Sequence, residues 1–324
     1  MAIKTGIAAQ LGVKAESTYG TPVTVDRFYE FERESIQTDV GIIRAAQLGA
    51  GRFLRNDRRK AYIRGAAGQL EFVMLNKNFG LLLEHAIGQN TVTGASANKT
   101  HTIIPDAAAL QGKSLTVQVG RPDVGGTVRA FTYEGGKVKS WELKSAVDEP
   151  LRLVLDMDFE NVLTATALAS ASYVATQEMF IFTEGAITLN SVAQSVKSFS
   201  IKGDNMLNTG RRFISNAKKE PLVAGIVPIT GTLECEFEDL TRYAAWVAGT
   251  ISASLVLTFT LATVIPTTAV PYSFTITIDD LAYNGGTPQV GGPDVVMNPV
   301  DFEALYDGTN PTVKIEVVTS DTAS

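Results

Sequence analysis

Residues 51–59 read Gly-Arg-Phe-Leu-Arg-Asn-Asp-Arg-Arg, and residues 212–219 read Arg-Phe-Ile-Ser-Asn-Ala-Lys-Lys. The likeness extends downstream with nearly constant spacing, because Gly68 corresponds to Gly231 and Gly88 corresponds to Gly249. Upstream, Ser35-Ile36 corresponds to Ser200-Ile201. Self-similarity at a fixed spacing is typical of a repeated structural unit, whereas two unrelated basic loops would match by chance only locally. The sequence therefore predicts two copies of one module.

The length of the chain agrees with this division. A chain of 324 residues is long enough for two domains, each with a core of its own. The join is expected between Leu163 and Tyr173, where the residues are small and polar and show no periodicity. We assign residues 1–165 to a first module, with an N-terminal arm and a long basic loop, and residues 173–324 to a second module.

Alternating apolar residues predict a mainly antiparallel β protein. Residues 151–159 place Leu151, Leu153, Leu155, Met157 and Phe159 on one face, as in a half-buried strand. Residues 114–119, 137–143, 254–260, 273–278 and 313–318 alternate in the same way. Each module adds one short helix that ends at a glycine, with Asn76 or Asn78 as the candidate N-cap in the first and Asp239 or Thr241 in the second. Gly135-Gly136 and Asn284-Gly285 are candidate turns.

Residues 44–64 form the clearest functional feature. They carry one acid, Asp57, against the basic side chains of Arg44, Arg52, Arg55, Arg58, Arg59, Lys60 and Arg64. Their glycines and lack of periodicity predict a long loop or an exposed hairpin. Contact with another subunit, an ordinary solvated loop and a nucleic-acid patch remain open at this point, although the net charge of −6 disfavours general binding to nucleic acid.

The sequence offers no positive case for an enzyme. It contains one cysteine and two histidines, and no spacing typical of a nucleophile, a metal cluster or a phosphate-binding loop. Cys235 and His85 are expected to pack in the core, and His101 is expected in a loop. We also expect no cofactor, no signal peptide and no membrane span.

A duplicated sheet module suggests assembly. Exposed strand edges must be covered, closed or paired with another chain, and a closed ring of modules removes them. A long basic loop in each module would then reach acidic groups of the next ring.

Two stretches near the N-terminus resemble a known family. Residues 7–23, Ile-Ala-Ala-Gln-Leu-Gly-Val-Lys-Ala-Glu-Ser-Thr-Tyr-Gly-Thr-Pro-Val, followed by Arg27-Phe28-Tyr29-Glu30-Phe31, resemble the major tail (tail tube) proteins of long, non-contractile-tailed bacteriophages, particularly those of actinobacteria. Gly51-Arg52-Phe53-Leu54-Arg55 and Asn78-Phe79-Gly80-Leu81-Leu82 add to the resemblance. The likeness is strongest over residues 1–90.

The resemblance implies a β-sandwich or barrel-like module flanked by a helix, six modules to a ring, and rings stacked into a hollow tube through which the genome passes. With two modules per chain, a homotrimer with pseudo-sixfold symmetry is favoured, and a hexamer follows if the second half is an outer domain. The implied partners are the tape measure, tail terminator and distal tail proteins, and the implied location is the virion, after assembly in the host cytoplasm. DNA would pass without specific binding, along a wall with polar faces such as Asp156 with Asp158 or Thr258 with Thr260.

The expected contact residues between subunits and rings are Arg44, Arg52, Phe53, Arg55, Arg58, Arg59, Arg64, Arg211, Arg212, Phe213, Lys218 and Lys219.

A second class of function fits the same pattern. A β-sandwich that binds a cell surface or a carbohydrate would also be mainly β and non-enzymatic. Such a module is expected to cluster aromatic residues on one exposed face, and the chain has only two tryptophans.

Overall fold

A computed structural model of the chain describes residues 4–45, 53–94, 97–106, 108–214, 218–249, 251–293 and 295–322, without the side chains of residues 251–253. Over these residues the protein is mainly β, with two α-helices and a large antiparallel sheet. The predicted fold class is confirmed.

The strands and helices follow one another as two similar series. The first series is β1 (Gln10–Glu16), β2 (Arg27–Tyr29), β3 (Arg33–Glu34), β4 (Gln37–Arg44), β5 (Arg59–Val73), α1 (Gly80–Ile87), β6 (Gly88–Thr93), β7 (Lys99–Pro105), β8 (Ser114–Pro122), β9 (Val128–Ala146), β10 (Arg152–Phe159) and β11 (Asn161–Leu163). The second series is β12 (Gly185–Leu189), β13 (Val192–Ala193), β14 (Val196–Asp204), β15 (Ile229–Glu236), α2 (Thr241–Ala248), β16 (Ile251–Val264), β17 (Pro271–Tyr283), β18 (Met297–Ala304) and β19 (Lys314–Thr319). Short 3-10 turns precede β1, β5 and β12, at Gly6–Ala8, Asn56–Arg58 and Phe182–Glu184.

Alternation of apolar residues places the strands as predicted. In β10, Leu153, Leu155 and Met157 are buried, whereas Arg152 and Asp156 are partly exposed on the opposite face. Each buried side chain of this size contributes roughly 1.5–3 kcal/mol to folding by leaving water. The strand segments predicted within β8, β9, β16, β17 and β19 are likewise confirmed.

The strands of the two halves pair in the same order. In the first half the hydrogen-bonded order is β1–β8–β9–β10–β5–β4. In the second half the order is β12–β16–β17–β18–β15–β14. The first half has an additional hairpin, β6–β7, between its helix and β8.

The pairing register also agrees between the halves. Gly68 of β5 lies opposite Met157 of β10, and its sequence counterpart Gly231 of β15 lies opposite Phe302 of β18. A side chain at either glycine would meet backbone, because a built Cβ lies 2.5 Å from the carbonyl oxygen of Ser35 at Gly68 and 2.8 Å from that of Ser200 at Gly231.

The register of the next strand pair, β4 with β5 and β14 with β15, also agrees between the halves. Gln37 of β4 lies opposite Ala67, and Lys202 of β14 lies opposite Thr230. Equal order and equal register are what two copies of one module would show. The duplication and the module boundaries stay predictions.

The two halves are joined by strand pairing. β9 of the first half pairs with β14 of the second, with Leu143 opposite Ile201. β7 pairs with β19 near the C-terminus, with His101 opposite Val317. We expected a separate core in each half, but the buried apolar side chains of both halves form one contiguous cluster because these two junctions continue the sheet.

The two helices differ in burial. In α1 six of the eight side chains are buried, among them Leu82 and Leu83, whereas α2 has no buried side chain. Both helices end at the predicted glycines, Gly88 and Gly249, which have positive φ angles of 149° and 63°. Glycine adopts such angles without the steric cost that other residues meet.

Some local predictions were wrong. α1 has no side-chain N-cap, because the Asn76 Oδ1 atom accepts a hydrogen bond from Glu178 N and the Asn78 Nδ2 atom donates to Phe28 O. The N-cap position of α2 is Leu240, although Asp239 Oδ1 accepts from the Thr241 backbone N–H.

Two further predictions were also wrong. Gly135-Gly136 is not a turn but a bulge within β9, where Gly135 has φ 63°. His101 lies in β7 rather than in a loop. It is buried there, with its ring nitrogens within hydrogen-bond distance of Asn90 and of the Asp321 carbonyl oxygen.

Candidate functional site

Strands of both halves form one extended sheet. Its strands follow the order β4–β5–β10–β9–β14–β15–β18, and the last three residues of β17 continue it past β18. Over the described residues, β4 is paired on one side only, with β5. At the opposite border the chain leaves the sheet after Tyr283, and residues 284–293 form no strand. Over the described residues the sheet therefore has one open border along β4 and another along β18 from Met297 to Val300, because Leu281 and Ala282 of β17 also pair with β16.

One face of this sheet, which we call the polar face, turns away from the core. It is formed by alternate residues of each strand, which are partly or fully exposed. Its carboxylates belong to Asp39, Glu71, Glu142, Asp156, Asp204, Glu234, Glu236, Asp301 and Glu303, and its cations to Arg33, Arg64, Lys139, Lys144, Arg152 and Lys202. Because carboxylates outnumber cations by nine to six, the face has a negative potential at neutral pH.

The lysines of the polar face are held in ion pairs. Lys144 Nζ lies 3.1 Å from Glu71 Oε1, and Lys202 Nζ lies 3.3 Å from Glu142 Oε1. Lys139 Nζ lies 2.7 Å from Asp156 Oδ2, and this contact raises the pKa of the lysine. Exposed pairs of this kind contribute little to stability. Each of these lysines therefore has a carboxylate beside it.

The predicted basic stretch of the first half lies on an exposed hairpin formed by β4 and β5. Arg44 lies opposite Arg59 at its far end. Arg64 Nη2 contacts Asp39 Oδ1 at 2.9 Å, near the base. The predicted exposed hairpin is therefore present, and Arg52 lies outside the described residues.

The end of this hairpin combines charge with exposed apolar groups. Arg55 donates two hydrogen bonds to the Asp57 carboxylate, at 3.0 and 2.8 Å, and Arg58 Nη1 lies 3.1 Å from the same group. Phe53 and Leu54 are 89% and 72% exposed, and the flanking strands expose Val40, Ile42, Ile43, Tyr62 and Ile63. Exposed apolar groups of this extent on one element are typical of an interaction surface.

The basic stretch of the second half lies against the hairpin. Arg212 Nη2 donates to the Arg64 carbonyl oxygen at 3.0 Å, so the two predicted contact stretches meet. Arg211 Nη1 donates to Glu220 O, and the Lys219 ammonium lies 5.2 Å from the ring centre of Phe213, which is 54% exposed.

Lys218 differs from its neighbours because it is buried. Its Nζ atom donates to Asp158 Oδ1 at 2.7 Å and to Phe159 O at 2.8 Å. Burial raises the pKa of the Asp158 carboxyl, and the lysine opposes that rise. Asp158, proposed from the sequence as a wall residue, is thus buried beside Lys218 rather than exposed beside Asp156. A contact between subunits stays a prediction for the exposed members of the set.

A buried carboxylate that the sequence analysis did not single out organises the start of the chain. Glu16 Oε2 accepts from Ser114 Oγ and Gly20 N, and Glu16 Oε1 accepts from Thr116 Oγ1 and Gly135 N, at distances of 2.5–3.0 Å. Four donors satisfy this carboxylate, so its role is to tie the N-terminal segment to β8 and β9.

The cysteine and both histidines, residue types that often carry chemistry, are buried. Cys235 is a buried free thiol, as predicted. His85 is buried in α1, and no cluster of three or more metal-binding side chains occurs among the described residues. None of the helices in that part of the chain is long and apolar enough to cross a membrane.

His85 makes the stability of the fold sensitive to acid. Burial lowers its pKa to about 4, with Lys113, Lys137 and Arg27 adding to the effect and Glu84 opposing it. Because the folded-state pKa lies below the unfolded value, stability is complete above about pH 6.5 and falls towards pH 4, by roughly 3 kcal/mol in total. Urea unfolding between pH 7.5 and 4 measures this loss, which should be smaller in His85→Leu. Equal pH dependence of both proteins would contradict the assignment.

Comparison with models of known protein families gives a match over most of the chain. Residues 6–304 match the family model described as phage tail tube protein. No curated protein matches the chain.

Proposed function

Because the chain belongs to the phage tail tube protein family, we propose that it polymerises as stacked rings into the hollow tube that conducts the phage genome into the host. The observation that carries the ring is the pairing pattern of the extended sheet. Two series of strands with equal order and register, joined edge to edge, support a ring that is built from repeating units.

The junction inside one chain serves as a template for the junction between chains. Within the chain, β14 of the second half pairs with β9 of the first. At the open borders, β4 corresponds to β14, and the chain after Tyr283 corresponds to the paired part of β9. Pairing these borders between copies extends the sheet and covers its open edges. Three copies then supply six module positions, so a homotrimer with pseudo-sixfold symmetry is proposed.

Helix α2 supports the same arrangement. The chain after β14 covers α1, where Asn205 Nδ2 donates to Ala86 O at 2.8 Å and to Val138 O at 3.0 Å. The corresponding helix α2 exposes Val247 to 65%. In the proposed ring, the exposed face of α2 lies against the next copy.

The polar face is assigned to the lumen. A conduit must let DNA slide, and carboxylates facing the phosphates repel them rather than binding them. The ion-paired lysines fit this role, since a lysine that already contacts a carboxylate offers less attraction to phosphate.

The β4–β5 hairpin is assigned to contacts between stacked rings. Its exposed arginines and the side chains of Phe53 and Leu54 supply charge and apolar area outside the body of the subunit. The proposed partners at the ends and inside the tube are the tail terminator, distal tail and tape measure proteins, with assembly in the host cytoplasm.

Charge reversal at the hairpin tests this assignment. Arg44→Glu with Arg59→Glu should leave the subunit folded, because exposed charges away from special contacts change stability by about 0.5 kcal/mol or less. Stacking should be lost, as measured by sedimentation, while circular dichroism stays unchanged. Arg129→Glu with Lys314→Glu makes the same change in net charge elsewhere and should stack normally. Normal stacking of the hairpin variant would remove the hairpin from the contact.

Negative-stain microscopy of the purified protein tests the function as a whole. We expect rings or hollow filaments, seen end-on with a central hole. A protein that stays monomeric at all concentrations and salt conditions, although folded by circular dichroism, would contradict the proposal.

A further inference from the structure

A cleft of about 730 Å³ opens in the first half of the chain, between the 3-10 turn Gly6–Ala8 and residues 30–34. Its walls include the ion pair between Arg121 and Glu34, with Nε and Oε1 2.8 Å apart. On its rim, the side chain of Ile7 is 98% exposed. The cleft lies beside β3 and β4, at one open border of the extended sheet.

The second half has a corresponding cleft, which is smaller. It lies between the 3-10 turn Phe182–Glu184 and residues 196–199, and its volume is about 230 Å³. Glu34 lies opposite Leu70, and Phe199 lies opposite Leu233, so Glu34 and Phe199 hold equivalent places in the two clefts. Where the first cleft has the Arg121–Glu34 ion pair, the second has Phe259 and Phe199, with ring centres 6.0 Å apart.

The smaller cleft has an additional wall. Residues 145–147, at and just beyond the end of β9, line it. Ala146 pairs with Ser198, and Val147 N donates to Lys197 O at 2.9 Å. Residues 145–147 therefore form a wall of the smaller cleft, whereas no segment among the described residues forms the corresponding wall of the larger cleft.

The second half contains a segment that matches this wall. Val138 lies opposite Met157, and Tyr283 lies opposite Phe302, so Tyr283 corresponds to Val138, and we carry over the one-residue bulge that follows Val138 in β9. Counted from these pairs, residues 290–292 correspond to residues 145–147. They form no strand, and Val290 is 79% exposed.

This segment is too far away to fill the cleft of its own chain. The cleft adjoins β3, which pairs with β5 on the same side as β4, and the segment follows β17, at the opposite end of the extended sheet. Seven strand spacings separate the borders, about 34 Å along the sheet. The occupant must therefore come from a second copy.

We propose that residues 287–293 of one copy dock into the cleft between Gly6–Ala8 and residues 30–34 of a second copy. The docked segment continues β17 and pairs with β3 of the second copy, as the end of β9 pairs with β14 within one chain. Gly291 then lies opposite Arg33, and Gly292 N donates to Glu32 O. The inference rests on the proposed ring, and it specifies which residues close that ring.

The composition of the segment fits this role. Gly291 and Gly292 have no side chains, so the backbone of the segment can approach Arg33 of β3 closely. Pro288 and Pro293 lack an N–H donor and disfavour pairing of the free segment with an arbitrary strand. The valine between them, Val290, supplies the apolar group, facing a cleft that includes Ile7, Phe31 and Tyr173.

Disulfide trapping tests the contact. Arg33→Cys with Gly291→Cys places two thiols on directly opposed residues, where Cα separations of about 4.5–5.5 Å suit a disulfide. A built Cβ at Gly291 meets no atom within 4 Å, so the substitution is tolerated. After oxidation, non-reducing electrophoresis should show covalent dimers and trimers. Arg33→Cys with Tyr306→Cys, at the other end of β18, is the matched control and should stay monomeric.

Hydrogen exchange of the unmodified protein, free and assembled, is the second measurement. Residues 287–293 and 30–34 should gain at least about tenfold protection on assembly. If rings form but show neither the disulfide nor this protection, the docking is wrong and the ring stands. If the cysteine variant fails to assemble while the unmodified protein does assemble, the exchange result decides. If neither assembles under any condition, the proposed ring falls, and the docking with it.

Discussion

Tubes that carry Glu234→Lys with Asp301→Lys are expected to retain DNA, whereas tubes of the unmodified protein release it. Both carboxylates lie on the polar face, on the neighbouring strands β15 and β18. Neither residue forms a salt bridge within 4.0 Å among the described residues, so the two lysines would present unpaired charge to the lumen. With six new lysines in each proposed ring, retention at low salt should rise on the order of 100-fold.

Co-sedimentation of assembled tubes with short duplex DNA measures this effect. Retention should fall steeply as salt rises, since each phosphate contact releases counterions. Asp26→Lys with Glu178→Lys makes the same change in net charge at exposed positions off the polar face, and it should leave retention low. Equal retention by both variants would show that the polar face does not line the channel.

Breaking the buried ion pair is expected to give the largest loss of stability. Lys218→Ala would leave the Asp158 carboxylate buried without its cation, which costs roughly 3–5 kcal/mol in comparable cases. Urea unfolding of the subunit measures this loss. Asp158→Leu with Lys218→Met replaces both charges by apolar groups and should recover most of the stability.

Lys219→Met is the control for this experiment. Lys219 is adjacent in sequence but exposed, so its replacement should change stability by about 0.5 kcal/mol or less. A small effect of Lys218→Ala, equal to that of Lys219→Met, would mean that Lys218 does not hold the fold together and is available for contact with another subunit.

The sequence predicted the strands best where burial imposes a period of two. Leu153, Leu155 and Met157 alternate with polar residues because one face of β10 packs in the core. Both helix ends were predictable from Gly88 and Gly249, since a positive φ angle favours glycine. The family was also recognised from the sequence, and the match over residues 6–304 confirms it.

Other features depend on contacts between residues distant in the chain, which local patterns do not encode. Gly135-Gly136 has the composition of a turn, but β8 pairs with β9 on both sides of it, and β11 pairs with Glu134 next to it. Lys218 was grouped with exposed basic residues because its burial depends on Asp158, sixty residues away. The polar face was visible only in part, as Asp156 on β10, because its other members come from separate strands. The two-module division remains a prediction.

Native mass spectrometry of isolated rings tests the central claim most directly. The account predicts that one ring contains three chains, because each chain supplies two of six equivalent positions. A ring of six chains would contradict it, since the second half would then lie outside the channel rather than form part of its wall.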